Sequence, residues 1–251
     1  MAGAVIISLM LNWFDEPPEL LRQAVRGAAV FADRIVAADG AYSLVGEAEP
    51  RSDPEQTIAI AEEADACGLT CEFLPPQVYA GQVAKRTACL QVAKEGSDWV
   101  LPLDADWLIE GDGPAIRTEL EEMHANGYEQ VAVRFYQPEN PELDMDELAL
   151  NVWHINEAGL ERSTPFIYRS MPEMRYDTNH WSLVCRSEDG REVGLFGATL
   201  RPGLARPKTG YLQAEHLFQH LCLFRERKQI ERNRDYIAKR DAEVARVGFE
   251  T

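Results

Sequence analysis

Apolar positions in the first half of the chain fall into short continuous runs separated by stretches of helical spacing. Val5 to Leu11 is such a run, suited to a strand covered on both faces. Asn12 to Pro18 forms a loop that leads into a helix with proline in its first turn, and Leu20, Leu21, Ala24, Val25, Ala28 and Phe31 then recur three and four residues apart. Arg34 to Ala38 predicts a second strand that ends at Asp39-Gly40. The polar stretch from Ala41 to Asp53 predicts a mobile loop. Pro54 opens a helix that ends near Cys67-Gly68, with glycine where a left-handed cap wants it. Thr70 to Leu74 predicts a third strand, Ala80 to Lys94 a helix closed by Glu95-Gly96, and Trp99 to Leu103 a fourth strand that delivers Asp104.

Strands alternating with helices predict an α/β fold with a parallel sheet and right-handed crossovers. The strand ends that carry Asn12, Asp39 and Asp104 then lie on one edge. Beyond Asp112 the pattern predicts a helix from Ile116 to Asn126 and a strand from Gln130 to Tyr136. Residues 137–165 are irregular and acidic, with Pro138, Pro141, Glu142, Asp144, Asp146 and Glu147, and a loop that long is more often functional or mobile than inert. Apolar stretches near Phe166 to Tyr168, Trp181 to Cys185 and Val193 to Phe196 predict short strands. From Gln213 to about Arg246 the spacing of Leu217, Leu221, Phe224, Ile230 and Ile237 predicts a long helix.

With 251 residues, 45% of them hydrophobic, the chain can form one large α/β domain or two small ones without a disulfide scaffold. Five cysteines, an odd number without Cys-x-x-Cys spacing, disfavour both a disulfide framework and a structural zinc site; a reducing cytoplasm is the expected compartment. The apolar run before Leu11 has no basic residue ahead of it, no cleavage site behind it and too little length for a bilayer, so no membrane partner is expected. A net charge of −17 argues against nucleic-acid binding over the whole surface, yet residues 201–240 hold ten Lys or Arg against four acids, a local balance of +6. A solvated helix face accounts for those charges, and a local phosphate-binding patch is the other reading.

Asp104-Ala105-Asp106 is the stretch richest in chemistry. Two carboxylates one residue apart at the end of a buried strand repel each other, and a divalent cation or a hydrogen-bonded ligand would relieve that repulsion. Open α/β sheets bind ligands at the carboxyl ends of their strands, so the position fits a metal or nucleotide site. The plainer alternative is a solvated acidic loop.

Taken in order, four landmarks resemble the glycosyltransferases of the GT-A fold, closest to the large family 2 group. They are the loop Leu11-Asn12-Trp13-Phe14-Asp15-Glu16, the turn Asp39-Gly40-Ala41-Tyr42, the helix start Gly81-Gln82-Val83-Ala84-Lys85-Arg86-Thr87, and Trp99-Val100-Leu101-Pro102-Leu103-Asp104-Ala105-Asp106. The turn lacks the serine that follows Asp-Gly in that family. The resemblance extends to His220-Leu221-Cys222-Leu223-Phe224-Arg225 and Arg232-Asn233-Arg234-Asp235-Tyr236, but the Gln-x-x-Arg-Trp signature of processive synthases is absent. It implies one Rossmann-like GT-A domain: a nucleotide-sugar-binding half (1–112), an acceptor-side half with a mobile loop (113–212) and a C-terminal helix (213–251).

The resemblance further implies metal-dependent transfer of a sugar from a nucleotide sugar, with UDP expected, to a hydroxyl acceptor with inversion. Asp104, Asp106 and His220 would hold Mn²⁺ or Mg²⁺, with His216 as a substitute for His220 and Asp104 alternatively on the ribose. Asp39 would meet the nucleobase, Lys85 or Arg86 the base carbonyl or ribose, and Asn12 and Trp13 would line the nucleotide, Trp13 by stacking. For Asp39 a turn residue before glycine, and for Trp13 a core aromatic, are the competing readings. On the acceptor side Tyr176-Asp177-Thr178-Asn179-His180-Trp181 is the densest polar and aromatic cluster; Asp177 or His180 would take the acceptor proton, with Glu173 and Asp144 in reserve. Other functions compatible with the residues are transfer to a hydroxylated DNA base, nucleotidyl transfer, and a non-catalytic acidic module that binds a cation. Nucleotidyl transfer would ordinarily use a glycine-rich basic loop near the N-terminus, and residues 12–18 contain no glycine.

Overall fold

The computed structural model describes residues 4–43, 51–136, 161–177, 182–195, 202–213, 217–220 and 238–239. The elements β1 (Ile7–Trp13), α1 (Pro18–Ala29), β2 (Arg34–Asp39), α2 (Pro54–Ala66), β3 (Thr70–Phe73), α3 (Gln82–Ala93) and β4 (Trp99–Asp104) alternate as the apolar pattern predicts. Strand β1 pairs in parallel with β2 on one side and β4 on the other, and β3 extends the sheet beyond β2.

Side chains along a strand alternate between its two faces, and β1 shows both faces buried. Leu9, Leu11 and Trp13 pack with Leu21, Ala24, Val25 and Ala28 of α1, whereas Met10 packs with Cys89, Leu90 and Ala93 of α3. Helices α1 and α3 thus cover opposite faces. The chain runs outward from β1 to β2 and β3, then returns through α3 to place β4 on the other flank of β1. The crevice between β1 and β4 at the carboxyl edge is therefore the point where strand order reverses, the place where such sheets take ligands.

The chain continues through β5 (Trp107–Glu110), α4 (Gly113–Ala125), β6 (Gln130–Tyr136), β7 (Glu161–Arg169), β8 (Arg175–Tyr176), β9 (Leu183–Arg186), β10 (Glu192–Gly194), β11 (Thr209–Tyr211) and β12 (Leu217–His220). Among the described residues the central sheet has the order β3-β2-β1-β4-β7-β6-β12-β5, with β11 also on β6, and β10-β9-β8 form a second, small sheet. β7 runs antiparallel to both β4 and β6, so the sheet is mixed although its first half is parallel. The result is an α/β fold with a mostly parallel central sheet flanked by helices, a Rossmann-like arrangement. One apolar cluster runs from Val5 to Phe218 and draws on residues before and after Asp112.

Three expectations are corrected. Leu217–His220, expected to belong to a long helix from Gln213, is a strand: it pairs in parallel with β6 and antiparallel with β5, and Phe218 is fully buried. Two neighbouring strands with open backbone groups outweigh the helical spacing of Leu217 and Leu221. Gln213 is not helical, and the rest of that segment lies outside the described residues apart from 238–239, which are helical. Glu161–Arg169 is a nine-residue strand, so the stretch expected to be irregular to 165 ends earlier; residues 137–160, with Asp144, lie outside the described residues. The flanks of the expected mobile loop are tied down: Tyr42 bridges Tyr79 and Ser52 is buried, while 44–50 lie outside the described residues. Cys67, Cys71, Cys89 and Cys185 are free thiols; Cys222 lies outside the described residues. Among the described residues no helix is long and apolar enough to cross a membrane.

Candidate functional site

Backbone register alone assembles the core of the site. At the end of β1, Asn12 stands opposite Asp104 of β4, and the next residue, Trp13, stands opposite Asp39 of β2. The two carboxylates thus flank the tip of one strand. Asn12 is nearly buried, and its Oδ1 has no hydrogen-bond partner among the described residues.

Helix α3 starts at this edge and brings two cations to it. Its buried stripe is Lys85, Arg86, Cys89, Leu90 and Ala93, so the apolar face ends in a lysine and an arginine at the first turns. A cation near a helix N-terminus opposes the helix dipole, and the carboxylates of β2 and β4 offset that cost. Lys85 is 0% exposed. Its Nζ donates to the Trp13 carbonyl and, at 2.9 Å, to the Gly40 carbonyl, and it lies 5.4 Å from the ring centre of Tyr42 and 5.8 Å from that of Tyr79. Burial pushes the Lys85 ammonium down to about 7, against the pull of Asp39 and Asp104. Lysine here ties the ends of β1 and β2 together, and the expected contact with a nucleobase or ribose is not open to a side chain so enclosed.

Gly40 is what lets the second strand end so close to its neighbours. Its φ is +142°, and a Cβ at that position would lie 2.0 Å from the Gln77 carbonyl oxygen.

Arg86 engages Asp104. Nη2 donates to both carboxylate oxygens, at 2.7 and 2.5 Å, and the Asp104 side chain remains 26% exposed. Burial, the largest single influence, would lower the Arg86 guanidinium, but the charge of and hydrogen bond to Asp104 together with Tyr176 and Tyr42 outweigh it, and the net shift is upward. The Arg86 guanidinium also donates to the Tyr176 phenol oxygen of β8, and burial pushes that phenol up to about 12. Asp177 follows directly, half-buried, and its backbone N–H donates to the Ser182 carbonyl at 2.8 Å. His180 and Trp181 lie outside the described residues.

Asp39 is 4% exposed and clamped. Its Oδ2 accepts from the Ser52 backbone N–H at 2.7 Å and its Oδ1 from the Ser52 hydroxyl at 2.6 Å. Trp13 is a core residue: it is buried, edge-on to Phe73 at 6.2 Å, in the cluster that α1 covers. The stacking face expected of it is corrected to packing, because its position on β1 turns it to the α1 face.

The residues expected to hold Mn²⁺ or Mg²⁺ are only partly described. Asp104 already carries a guanidinium on both oxygens, Asp106 is 2% exposed, and among the described residues no three His, Cys, Asp or Glu side chains converge on a common point. His220 does reach this end of the sheet, since its backbone stands opposite Trp107, the residue after Asp106. His216 lies outside the described residues.

Two site residues escape a reading of the sequence: Ser52 and Tyr79. Each comes from a different segment, and only the sheet order and the bridge between Tyr42 and Tyr79 bring them to the carboxyl edge. Tyr176, expected in the acceptor-side cluster, interacts with Arg86.

The sequence matches no family model and no curated protein. Among solved structures, it is similar to the crystal structure of a mycobacterial protein with a TM-score of 0.36 and 13% identity over 55% of this chain. The chain spans 43% of that protein's length. It is also similar to 4-diphosphocytidyl-2C-methyl-D-erythritolsynthase from Anaerococcus prevotii, with a TM-score of 0.38 and 8% identity over 67% of this chain and 73% of that one. Both share only part of their path with this chain, so the reading of the site rests on its own geometry.

Proposed function

We propose that the protein is a glycosyltransferase of the GT-A kind that moves a sugar from a nucleotide sugar, with UDP as the expected nucleotide, to a hydroxyl acceptor. The register at the tip of β1 carries this reading: it sets Asp39 and Asp104 on the two flanks of one strand end at the reversal point of the sheet. Carboxylates accept hydrogen bonds only, and a nucleoside offers ring N–H groups and ribose hydroxyls as donors. Asp39 is assigned to the base and Asp104, oriented by Arg86, to the ribose.

In the transfer the acceptor oxygen attacks the anomeric carbon, the bond from that carbon to the diphosphate breaks, and the acceptor proton passes to a carboxylate. A single displacement of this kind inverts the anomeric centre. Asp177, beside the Tyr176 that touches Arg86, is assigned as the base. A divalent ion held by Asp104, Asp106 and His220 would neutralise the departing diphosphate.

The test is incubation of the full chain with UDP-, CDP-, ADP- and GDP-linked sugars, with a panel of hydroxyl acceptors. Release of a nucleoside diphosphate from one donor supports the reading. Pyrophosphate released from a nucleoside triphosphate and a sugar phosphate would assign nucleotidyl transfer instead, and release of neither would overturn both.

A further inference from the structure

Ser52 sits one residue before Asp53, which is the cap of α2 and accepts from the Glu55 N–H at 2.9 Å. Ser52 plays no part in that cap. Its backbone N–H and its hydroxyl both turn back to Asp39, thirteen residues earlier, with one donor on each carboxylate oxygen. The hydroxyl is itself fixed, because its oxygen accepts from the Asp15 N–H at 2.9 Å, so its single proton is committed to Asp39. Asp15 has φ +52°, a left-handed turn just past β1, and the next residue, Glu16, donates its N–H to Gln56 of α2 at 3.0 Å. The start of α2 is thereby stitched to the loop after β1 as well as to the end of β2. Ser52 is 6% exposed.

From this arrangement we infer that Ser52 is a positioning residue for base recognition: by holding both oxygens of Asp39, it decides which lone pairs the carboxylate offers to a nucleobase that presents N–H groups. The inference rests on the nucleotide site proposed above. A carboxylate has about four acceptor positions, two of which Ser52 fills, leaving one on each oxygen among the described residues. With Asp39 almost covered, a ligand can meet only those two, in the direction that the clamp sets. Loss of the hydroxyl frees one oxygen and lets the carboxylate rotate toward its remaining donor. Base selectivity then falls, while contacts to ribose and diphosphate persist.

The experiment measures dissociation constants of UDP, CDP, ADP and GDP for the wild-type chain and for Ser52→Ala, Ser52→Cys and Ser52→Thr by calorimetry, with thermal unfolding as a check of folding. Expected is a drop of about tenfold in the ratio of worst to best constant in Ser52→Ala and Ser52→Cys, with the weakest nucleotide unchanged within about threefold, and recovery of selectivity in Ser52→Thr. A merely structural serine would weaken all four together. That result, an unchanged ratio, a wild-type chain without base preference, or failure of both Ser52→Ala and Ser52→Cys to fold would each overturn the inference. A wild-type chain that takes none of the four overturns the nucleotide site itself and the inference with it.

Discussion

Arg86 meets Asp104 through a single nitrogen: Nη2 lies 2.7 Å from Oδ1 and 2.5 Å from Oδ2, with the arginine side chain 6% exposed. The pair joins the first turns of α3 to the end of β4, across the crevice where strand order reverses. A buried ion pair gives little net stability against an apolar replacement, but removal of one partner strands the other charge.

Arg86→Met is therefore predicted to lower stability by about 3 kcal/mol, and Arg86→Met combined with Asp104→Leu to recover most of that loss. Urea unfolding of the two single variants and the double variant measures the coupling. Additive effects would show that the contact contributes nothing beyond its parts.

Lys85 predicts a pH signature. In the folded chain burial holds it at about 7, against the usual 10.5 of an unfolded lysine. Between these values the unfolded chain binds more protons than the folded one, so unfolding free energy gains with rising pH. The contribution is complete above the unfolded value and lost as pH falls through the folded one. The neutral amine keeps two N–H groups for the Trp13 and Gly40 carbonyls. Wild type measured against Lys85→Met from pH 7 to 9.5 should gain up to about 1.4 kcal/mol per pH unit. Parallel stability curves for the two chains would contradict the burial effect.

Two glycine substitutions separate close approach from backbone strain. Gly40→Ala places a Cβ 2.0 Å from the Gln77 carbonyl oxygen, whereas Gly96, at φ +68°, has nothing within 4 Å. Gly40→Ala should cost about 3 kcal/mol or more, and Gly96→Ala about 1 kcal/mol. Thermal unfolding of both variants measures the difference, and equal costs would mean that the Gln77 segment yields freely.

Trp13→Phe tests whether the residue packs or binds. Its Nε1 is buried and has no partner among the described residues, so phenylalanine loses ring area without stranding an acceptor. A stability loss of about 1 to 2 kcal/mol with nucleotide affinity unchanged within about threefold is predicted. A large loss of affinity in a stable variant would restore the stacking role.

The elements legible in the sequence are those whose burial is set by one period. β1 and β4 are apolar on both faces and bounded by polar turns, and α1 repeats every three to four residues. From these the shared edge of Asn12, Asp39 and Asp104 follows without any contact being known. Trp107–Glu110 was not legible, because four residues after an acidic pair carry no period, and its partner β12 is remote in sequence. Leu217–His220 has helical spacing that sheet pairing overrides. Asp104 could be placed at the edge, but not its pairing with Arg86: the spacing of α3 puts Arg86 on the buried face without saying which carboxylate it meets. Lys85 shows the same gap, since a lysine at a helix start looks like a ligand contact until two carbonyls are found around it.

On the proposed reading, the crevice between β1 and β4 takes a nucleoside diphosphate. The most direct measurement is calorimetric titration of the full chain with UDP, CDP, ADP and GDP, with and without Mn²⁺, repeated for Asp39→Asn. Saturable binding of one nucleotide, weakened about tenfold or more in Asp39→Asn, is the predicted result. Heats indistinguishable from dilution for all four nucleotides, with the metal present and absent, would contradict it.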